Sequence, residues 1–149
     1  MFQKILVAYD GSGPAGRAFD LALDLAGKYG AALRVLAVAR PPEFGEEVET
    51  EAMLTNSRKH LHHVLKPLKE RATGLRQAIE CEVVVGHPAE RVVIEAQRWG
   101  ADLIVIGHRG HGLMGRWLLG SVAKQVMHHA TCAVLVARQP SIHPEGKLP

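Results

Sequence analysis

The stretch Asp102-Leu103-Ile104-Val105-Ile106-Gly107-His108-Arg109-Gly110, followed after nine residues by Gly120-Ser121, is the most informative part of the chain. Its apolar run predicts a strand that is buried on both faces, and residues 121–127 predict a helix. A glycine-rich loop between a strand and a helix N-terminus is suited to hold phosphate. Glycine lets the backbone come close to an anion and takes φ values that other residues avoid. The helix start adds unpaired N–H groups and a partial positive charge.

Strand and helix patterns alternate along the rest of the chain. Short apolar runs predict strands at residues 5–8, 33–38, 79–85, 103–106 and 133–137. Apolar residues at helical spacing predict helices at residues 18–29, 46–73, 89–99 and 121–129. Pro67 lies inside the second helix and is expected to kink or break it. The alternation predicts an α/β fold with one open, mainly parallel sheet.

The composition limits the classes of function. The 149 residues are enough for one domain with a sizeable core. The net charge is only +3, the basic residues are scattered and aromatic residues make up 5%, which argues against a nucleic-acid partner. No apolar run approaches the roughly 20 residues of a membrane helix, and a strand pattern begins directly after the first residues, which predicts no secretory signal. We expect a cytoplasmic protein with no membrane partner.

Cysteine and histidine are not arranged as metal ligands. Cys81 and Cys132 have no neighbouring cysteine, so free thiols are expected. Among the nine histidines, His60 and His63 share a helix face, but no acidic residue or cysteine accompanies them at ligand spacing. We expect no metal site built by the protein.

Two segments are expected to meet at one edge of the sheet. In an open parallel sheet, ligands bind at the carboxyl ends of the strands, where the strand order reverses. Asp10 follows the first strand and Gly107 follows the fourth, so both face one crevice if these strands are neighbours. Asp10 is then suited to accept hydrogen bonds from ribose hydroxyls. Arg109 and Arg116 are suited to supply positive charge.

Simpler interpretations of the same residues stay open. The glycine loop is also compatible with a plain connection between a strand and a helix. Asp10 and Ser121 are both good helix N-caps, and capping does not exclude contact with a ligand. Arg109 and Arg116 are also compatible with solvated side chains.

Five blocks of sequence resemble the universal stress protein family over residues 4–138. They are, in order, residues 5–12, residues 86–89, residues 101–107, the spacing Gly107-x2-Gly110-x9-Gly120-Ser121, and residues 130–136. The resemblance implies a Rossmann-like α/β fold, with a five-stranded parallel sheet of order 3-2-1-4-5 and helices on both faces. It implies one domain over residues 1–138, followed by a tail at 139–149 that we expect to be flexible. That strand order places Cys81 and Cys132 at opposite edges, so no disulfide is expected between them.

The resemblance also implies a ligand and a partner. Some members of the family bind ATP and keep the complete glycine spacing, as this sequence does. Carried over by position, the expected nucleotide site comprises Ala8, Tyr9, Asp10, Val38, Gly107, His108, Arg109, Gly110, Gly120, Ser121 and Val122. Asp10 would meet the ribose, Ala8 and Val38 would contact the adenine, and any Mg²⁺ would be held mainly by the phosphates. A homodimer would form through the last strand, at Ala133, Val134, Leu135 and Val136.

His108 departs from the family pattern, in which a small residue, often serine, is usual. An imidazole there either narrows the pocket or adds a contact to phosphate. The resemblance implies an ATP-binding regulatory protein of the stress response. Two alternatives stay open. One is slow ATP hydrolysis, for which His108 and His111 are available to position a water although no Walker-type motif is present. The other is a nucleotide-free, dimeric interaction module.

Overall fold

Strands and helices alternate in the computed structural model, which describes residues 1–109 and 119–138. The strands are β1 (Lys4–Ala8), β2 (Ala32–Ala39), β3 (Ile79–Val85), β4 (Leu103–Gly107) and β5 (Ala133–Ala137). The helices are α1 (Gly13–Tyr29), α2 (Glu47–Gly74), α3 (Pro88–Trp99) and α4 (Ser121–His129). The rest of the glycine loop, 110–118, and the tail 139–149, which the sequence predicts to be flexible, lie outside the described residues.

The five described strands form one sheet in the order β3-β2-β1-β4-β5, and every pair of neighbours is parallel. This confirms the predicted sheet. β1 is central: Val7 pairs with Val35 of β2 on one side and with Val105 of β4 on the other. The chain runs outward from β1 to β3 and then returns to the other side of β1 with β4. The strand order therefore reverses between β1 and β4.

Helices cover both faces of the sheet. On one face, α1 and α2 pack around Phe19 and Leu65, which are fully buried. On the other face, α3 and α4 pack around Val92 and Val126. Because each helix runs antiparallel to the strands it joins, the first turns of α1, α3 and α4 come together at the carboxyl edge of the sheet.

α2 continues through Pro67 as one helix, so the break that this proline predicts does not occur. Pro67 is exposed, and it removes one backbone donor from the helix. Leu65 and Leu68 on either side of it are buried against the sheet. The packing of this apolar stripe offsets the lost hydrogen bond, since tertiary packing supplies most of the stability of helices in proteins.

The two thiols lie at opposite edges of the sheet, as the predicted strand order requires. Cys81 is on β3 and Cys132 directly precedes β5, and neither forms a disulfide. Burial raises the pKa of both thiols. No helix in the described part of the chain is long and apolar enough to cross a bilayer.

Candidate functional site

A pocket of about 460 Å³ opens at the carboxyl edge of the sheet. Its volume lies within the range of small-molecule sites, roughly 300–1,000 Å³. The walls come from the ends of β1, β2 and β4 and from the first turns of α1, α3 and α4. The pocket thus occupies the point at which the strand order reverses, where open α/β sheets bind their ligands.

One end of the pocket is apolar. It is lined by Leu36 and Val38 at the end of β2 and by Pro88 and Val92 of α3. Ala8 of β1 continues this lining toward β4. Aliphatic walls of this kind suit the faces of an aromatic ring, because they bury its apolar surface.

The N-terminus of α4 forms the other end. Gly120 is the N-cap and has no side chain with which to cap the helix. The backbone N–H of Lys124 donates to the Gly120 carbonyl at 3.0 Å, so the N–H groups of Ser121, Val122 and Ala123 have no partner within the helix. All three residues line the pocket. Unpaired donors together with the positive end of the helix dipole make this end suited to an anion.

Ser121 is the first residue of α4, not its N-cap. The capping interpretation of this serine is therefore wrong. Its side chain is exposed at the pocket wall. The hydroxyl can therefore add a donor to the backbone N–H groups beside it.

Gly107 is a glycine because of a close contact between β4 and α1. A Cβ placed on it would lie 2.8 Å from the backbone carbon of Pro14 and 3.0 Å from the backbone nitrogen of Ala15. Gly107 does not have a positive φ, and the N-cap Gly120 has a φ of −61°. The two described glycines of the motif are thus not needed for φ values that other residues avoid. Gly107 lets the strand end and the start of α1 meet at the pocket wall.

Asp10 and Ser12 shape the turn after β1. The N-cap of α1 is Ser12, whose hydroxyl accepts a hydrogen bond from the backbone N–H of Ala15 at 3.3 Å. Oδ1 of Asp10 accepts one from the backbone N–H of Ser12 at 2.9 Å. Gly11 between them has a φ of 84°, which favours glycine. Asp10 therefore orders the turn without capping the helix, and the turn holds its carboxylate at the pocket wall.

Tyr9 and Arg109 also line the pocket. Burial raises the pKa of the Tyr9 phenol, and the negative charge of nearby Asp10 raises it further, so the hydroxyl stays protonated and can donate. Arg109 brings a positive charge to the α4 end. Gly110 and Arg116, which the sequence also places at the site, lie outside the described residues.

His108 is buried beside the pocket and is not among the described residues that line it. The residue is 5% exposed, and Nδ1 has no hydrogen-bond partner among the described residues. Its backbone N–H donates to Ala137 at 2.8 Å, and its carbonyl accepts from Gly120 at 2.6 Å. Burial lowers the pKa of the imidazole, and the positive charge of Arg138 lowers it further. The backbone of His108 thus joins β4 to β5 and to the start of α4.

Several lining residues carry no motif signal in the sequence. Leu36, Arg40 and Val92 line the pocket, but their sequence pattern is that of ordinary strand, turn and helix residues. The strand order could have indicated Leu36 and Arg40, because it places the end of β2 beside the end of β1. No cluster of three or more histidine, cysteine or acidic side chains able to hold a metal occurs within residues 1–109 and 119–138.

Known proteins of similar sequence and structure support one assignment. Universal stress protein YxiE of Bacillus subtilis is 33% identical over 153 residues, which cover 93% of this chain and all of that protein. A universal stress protein of Thermus aquaticus is 37% identical over 142 residues, with 93% and 100% covered. The universal stress protein UspA from Lactobacillus plantarum superposes with a TM-score of 0.82 at 26% identity, covering 91% of this chain and 97% of that one.

A second solved structure, of a universal stress protein in complex with cAMP, has a TM-score of 0.71 at 27% identity, with 91% and 97% of the two chains covered. The model of the universal stress protein family matches residues 1–138. The chain belongs to the universal stress protein family.

Proposed function

We propose that this protein binds an adenine nucleotide, with ATP as the leading candidate, and acts as a regulatory binding protein. One observation carries the proposal: an apolar cleft and the uncapped N-terminus of α4 form the two ends of a single pocket. A nucleotide has the matching polarity, with a flat base at one end and phosphates at the other. The complex of a related universal stress protein with cAMP supports the same ligand class.

In this proposal, each end of the pocket binds one part of the nucleotide. Val38 and Ala8 contact the base, and Asp10 accepts hydrogen bonds from the ribose. The backbone N–H groups at the start of α4 hold the phosphates, with the Ser121 hydroxyl and Arg109 beside them. Gly107 lets the end of β4 meet the start of α1 beside this site. Any Mg²⁺ is held mainly by the phosphates.

The phosphate end can be tested by adding a negative charge at the first residue of α4. An acidic residue in a first helical turn is favourable for the helix, so Ser121→Glu should keep the fold while repelling phosphate. Calorimetry should give a Kd for ATP of roughly micromolar strength for the parent protein and at least about tenfold weaker binding for the variant.

Gln125→Glu is the matched control, because it adds the same charge at an exposed position one turn further along α4. Its Kd should stay within about threefold of the parent value, since the added charge lies a turn farther from the phosphates and is solvent-exposed. If Ser121→Glu binds ATP as tightly as Gln125→Glu does, the phosphates do not bind at this helix.

We also propose that two copies pair through β5. This strand ends the sheet, and its half-buried residues are apolar: Val134, Leu135 and Val136. An apolar edge strand invites pairing with another chain unless it is covered. A second β5 would cover it with the same chemistry on both sides.

A further inference from the structure

Arg40 is a charged side chain at the apolar end of the pocket. It directly follows β2, next to the lining residues Val38 and Leu36. β1 lies between β2 and β4, and neighbouring strands are about 4.8 Å apart. Arg40 therefore starts about two strand spacings from the α4 end, where the proposed phosphates bind.

The donors of Arg40 are not used by the described part of the protein. The side chain is exposed at the rim of the pocket. Within residues 1–109 and 119–138, it forms neither a hydrogen bond nor an ion pair. By contrast, Arg34 and Arg71 pair with Glu80 and Asp20. The guanidinium of Arg40 thus remains available to a ligand in the pocket.

The chemistry of this group distinguishes one purine from another. A guanidinium has five N–H donors and no acceptor. Guanine presents two neighbouring acceptors, O6 and N7, and arginine bonds both at once. Adenine presents N7 beside an amino group that is itself a donor, so only one of the two bonds can form. The aliphatic walls at Val38 and Val92 contact the ring faces and do not make this distinction.

We propose that Arg40 is a specificity residue that reads the edge of the base, so that the pocket binds guanine nucleotides in addition to adenine nucleotides. The inference rests on the proposed nucleotide site and adds to it the selection between bases. It places selection at the end of β2 and phosphate binding at the start of α4, so variants at the two ends should behave differently.

The test compares the Kd values of GTP and ATP, measured by calorimetry with Mg²⁺ present, in the parent protein and in Arg40→Met. Methionine keeps an unbranched side chain and removes the donors. The parent should bind both nucleotides. The ratio of the GTP Kd to the ATP Kd should rise at least about fivefold in Arg40→Met, because a bidentate contact of arginine to guanine is lost.

Two further arms sharpen the comparison. ITP carries the same O6 and N7 as GTP but lacks the 2-amino group, so Arg40→Met should weaken ITP and GTP binding by similar factors. Arg40→Lys keeps the charge but not the fork of donors, and it should raise the ratio of the GTP Kd to the ATP Kd nearly as far as Arg40→Met does. Arg58→Met is the control, because Arg58 is exposed on α2 and is not among the described residues of the pocket. Its ratio should equal that of the parent.

The outcomes separate the two proposals. A parent that binds ATP but not GTP, or a ratio unchanged in Arg40→Met, overturns the role of Arg40 and leaves the nucleotide site standing. A ratio in Arg40→Lys equal to that of the parent shows that charge alone suffices and overturns the bidentate contact. A parent that binds no purine nucleotide overturns both proposals.

Discussion

At the residue scale, Gly107 is a position where β4 lies close against the first turn of α1. A Cβ there would lie 2.8 Å from the backbone of Pro14, and backbone cannot move aside as the end of a flexible side chain can. We expect Gly107→Ala to lower the free energy of unfolding by about 1–3 kcal/mol, measured by urea denaturation.

The matched control is Gly16→Ala in α1, where an added Cβ has no atom within 4 Å. Alanine at that helical position should raise the unfolding free energy by about 0.5–1 kcal/mol. Equal effects of the two substitutions would contradict the close contact at Gly107. The same contact makes Gly107 a poor position for testing nucleotide binding, because a loss of binding there could follow from a damaged fold.

His108 should make the stability of the protein depend on pH. Burial holds the pKa of its imidazole below the unfolded value near 6.5. The unfolded chain therefore takes up a proton first as the pH falls, and the contribution of His108 to stability, present above the unfolded pKa, is lost as the pH drops through the folded pKa. Compared with the parent, His108→Gln should lose less unfolding free energy between about pH 7.5 and pH 5.

Denaturant titrations at several pH values measure this difference, and His62→Gln is the control because His62 is exposed on α2. Its profile should run parallel to that of the parent. Identical slopes for the parent and His108→Gln over this range would show that the imidazole titrates as it does in water.

The sequence predicts the residue types at the pocket better than it predicts their contacts. Asp10 and Ser121 both have side chains that commonly cap helices, and in the structure neither is an N-cap. The choice among neighbouring polar residues depends on the backbone path: Ser12 caps α1 only because the turn with Gly11 at a φ of 84° brings it into position. Propensity does not determine that path.

At the element scale, α2 contains a proline that does not interrupt the helix, because the apolar residues around it are buried. Pro67 is exposed between the buried Leu65 and Leu68. Pro67→Ala should restore a backbone hydrogen bond without opening a cavity, and it should raise the unfolding free energy by about 1–3 kcal/mol. Thermal or urea unfolding measures the gain.

Lys66→Ala is the control for Pro67→Ala, since Lys66 is exposed at the neighbouring position of the same helix. It should change stability by less than about 0.5 kcal/mol. A Pro67→Ala protein no more stable than the parent would show that α2 has already adapted to the proline without strain.

Most helices and strands are predictable because the spacing of their apolar residues agrees with the turn residues at their ends. The predicted ranges of β3, α4 and β5 match the structure, since each lies between a clear turn and a clear change of pattern. α2 is the exception, because the local preference of Pro67 and the burial of Leu65 point in opposite directions. Packing against β2 and β3 decides between them, and that information is not local in sequence.

At the scale of the whole molecule, the proposed dimer makes β5 an internal strand of a larger assembly. The double variant Val134→Lys/Val136→Lys places charges on that edge, which should prevent pairing. Sedimentation equilibrium should give twice the chain mass for the parent and the chain mass for the variant, with unchanged far-UV circular dichroism showing that the fold is kept.

Met127→Lys is the control for the dimer, because Met127 is an exposed apolar residue on α4 outside the strand edge. That variant should remain dimeric. A parent with the mass of a single chain would contradict the dimer, and so would a folded double variant that keeps twice that mass.

The strand order brings the residues of the pocket together in space. The sequence places Asp10 and Gly107 nearly a hundred positions apart, and the spacing of apolar residues does not say which strands are neighbours. The family resemblance supplies the order, and the structure confirms it. The apolar lining at Val92 and the charged Arg40 beside it follow from the order, although no motif marks these residues.

The central claim is that nucleotide phosphates bind at the N-terminus of α4, and nuclear magnetic resonance tests it most directly. Titrating ATP into ¹⁵N-labelled protein should shift the amide signals of Ser121, Val122 and Ala123, whose N–H groups have no partner within the helix. Gly27 and Gln77 line a separate groove at the amino ends of β2 and β3. Their amide signals should stay in place. Shifts confined to that groove, or no shifts at millimolar ATP, would contradict the claim.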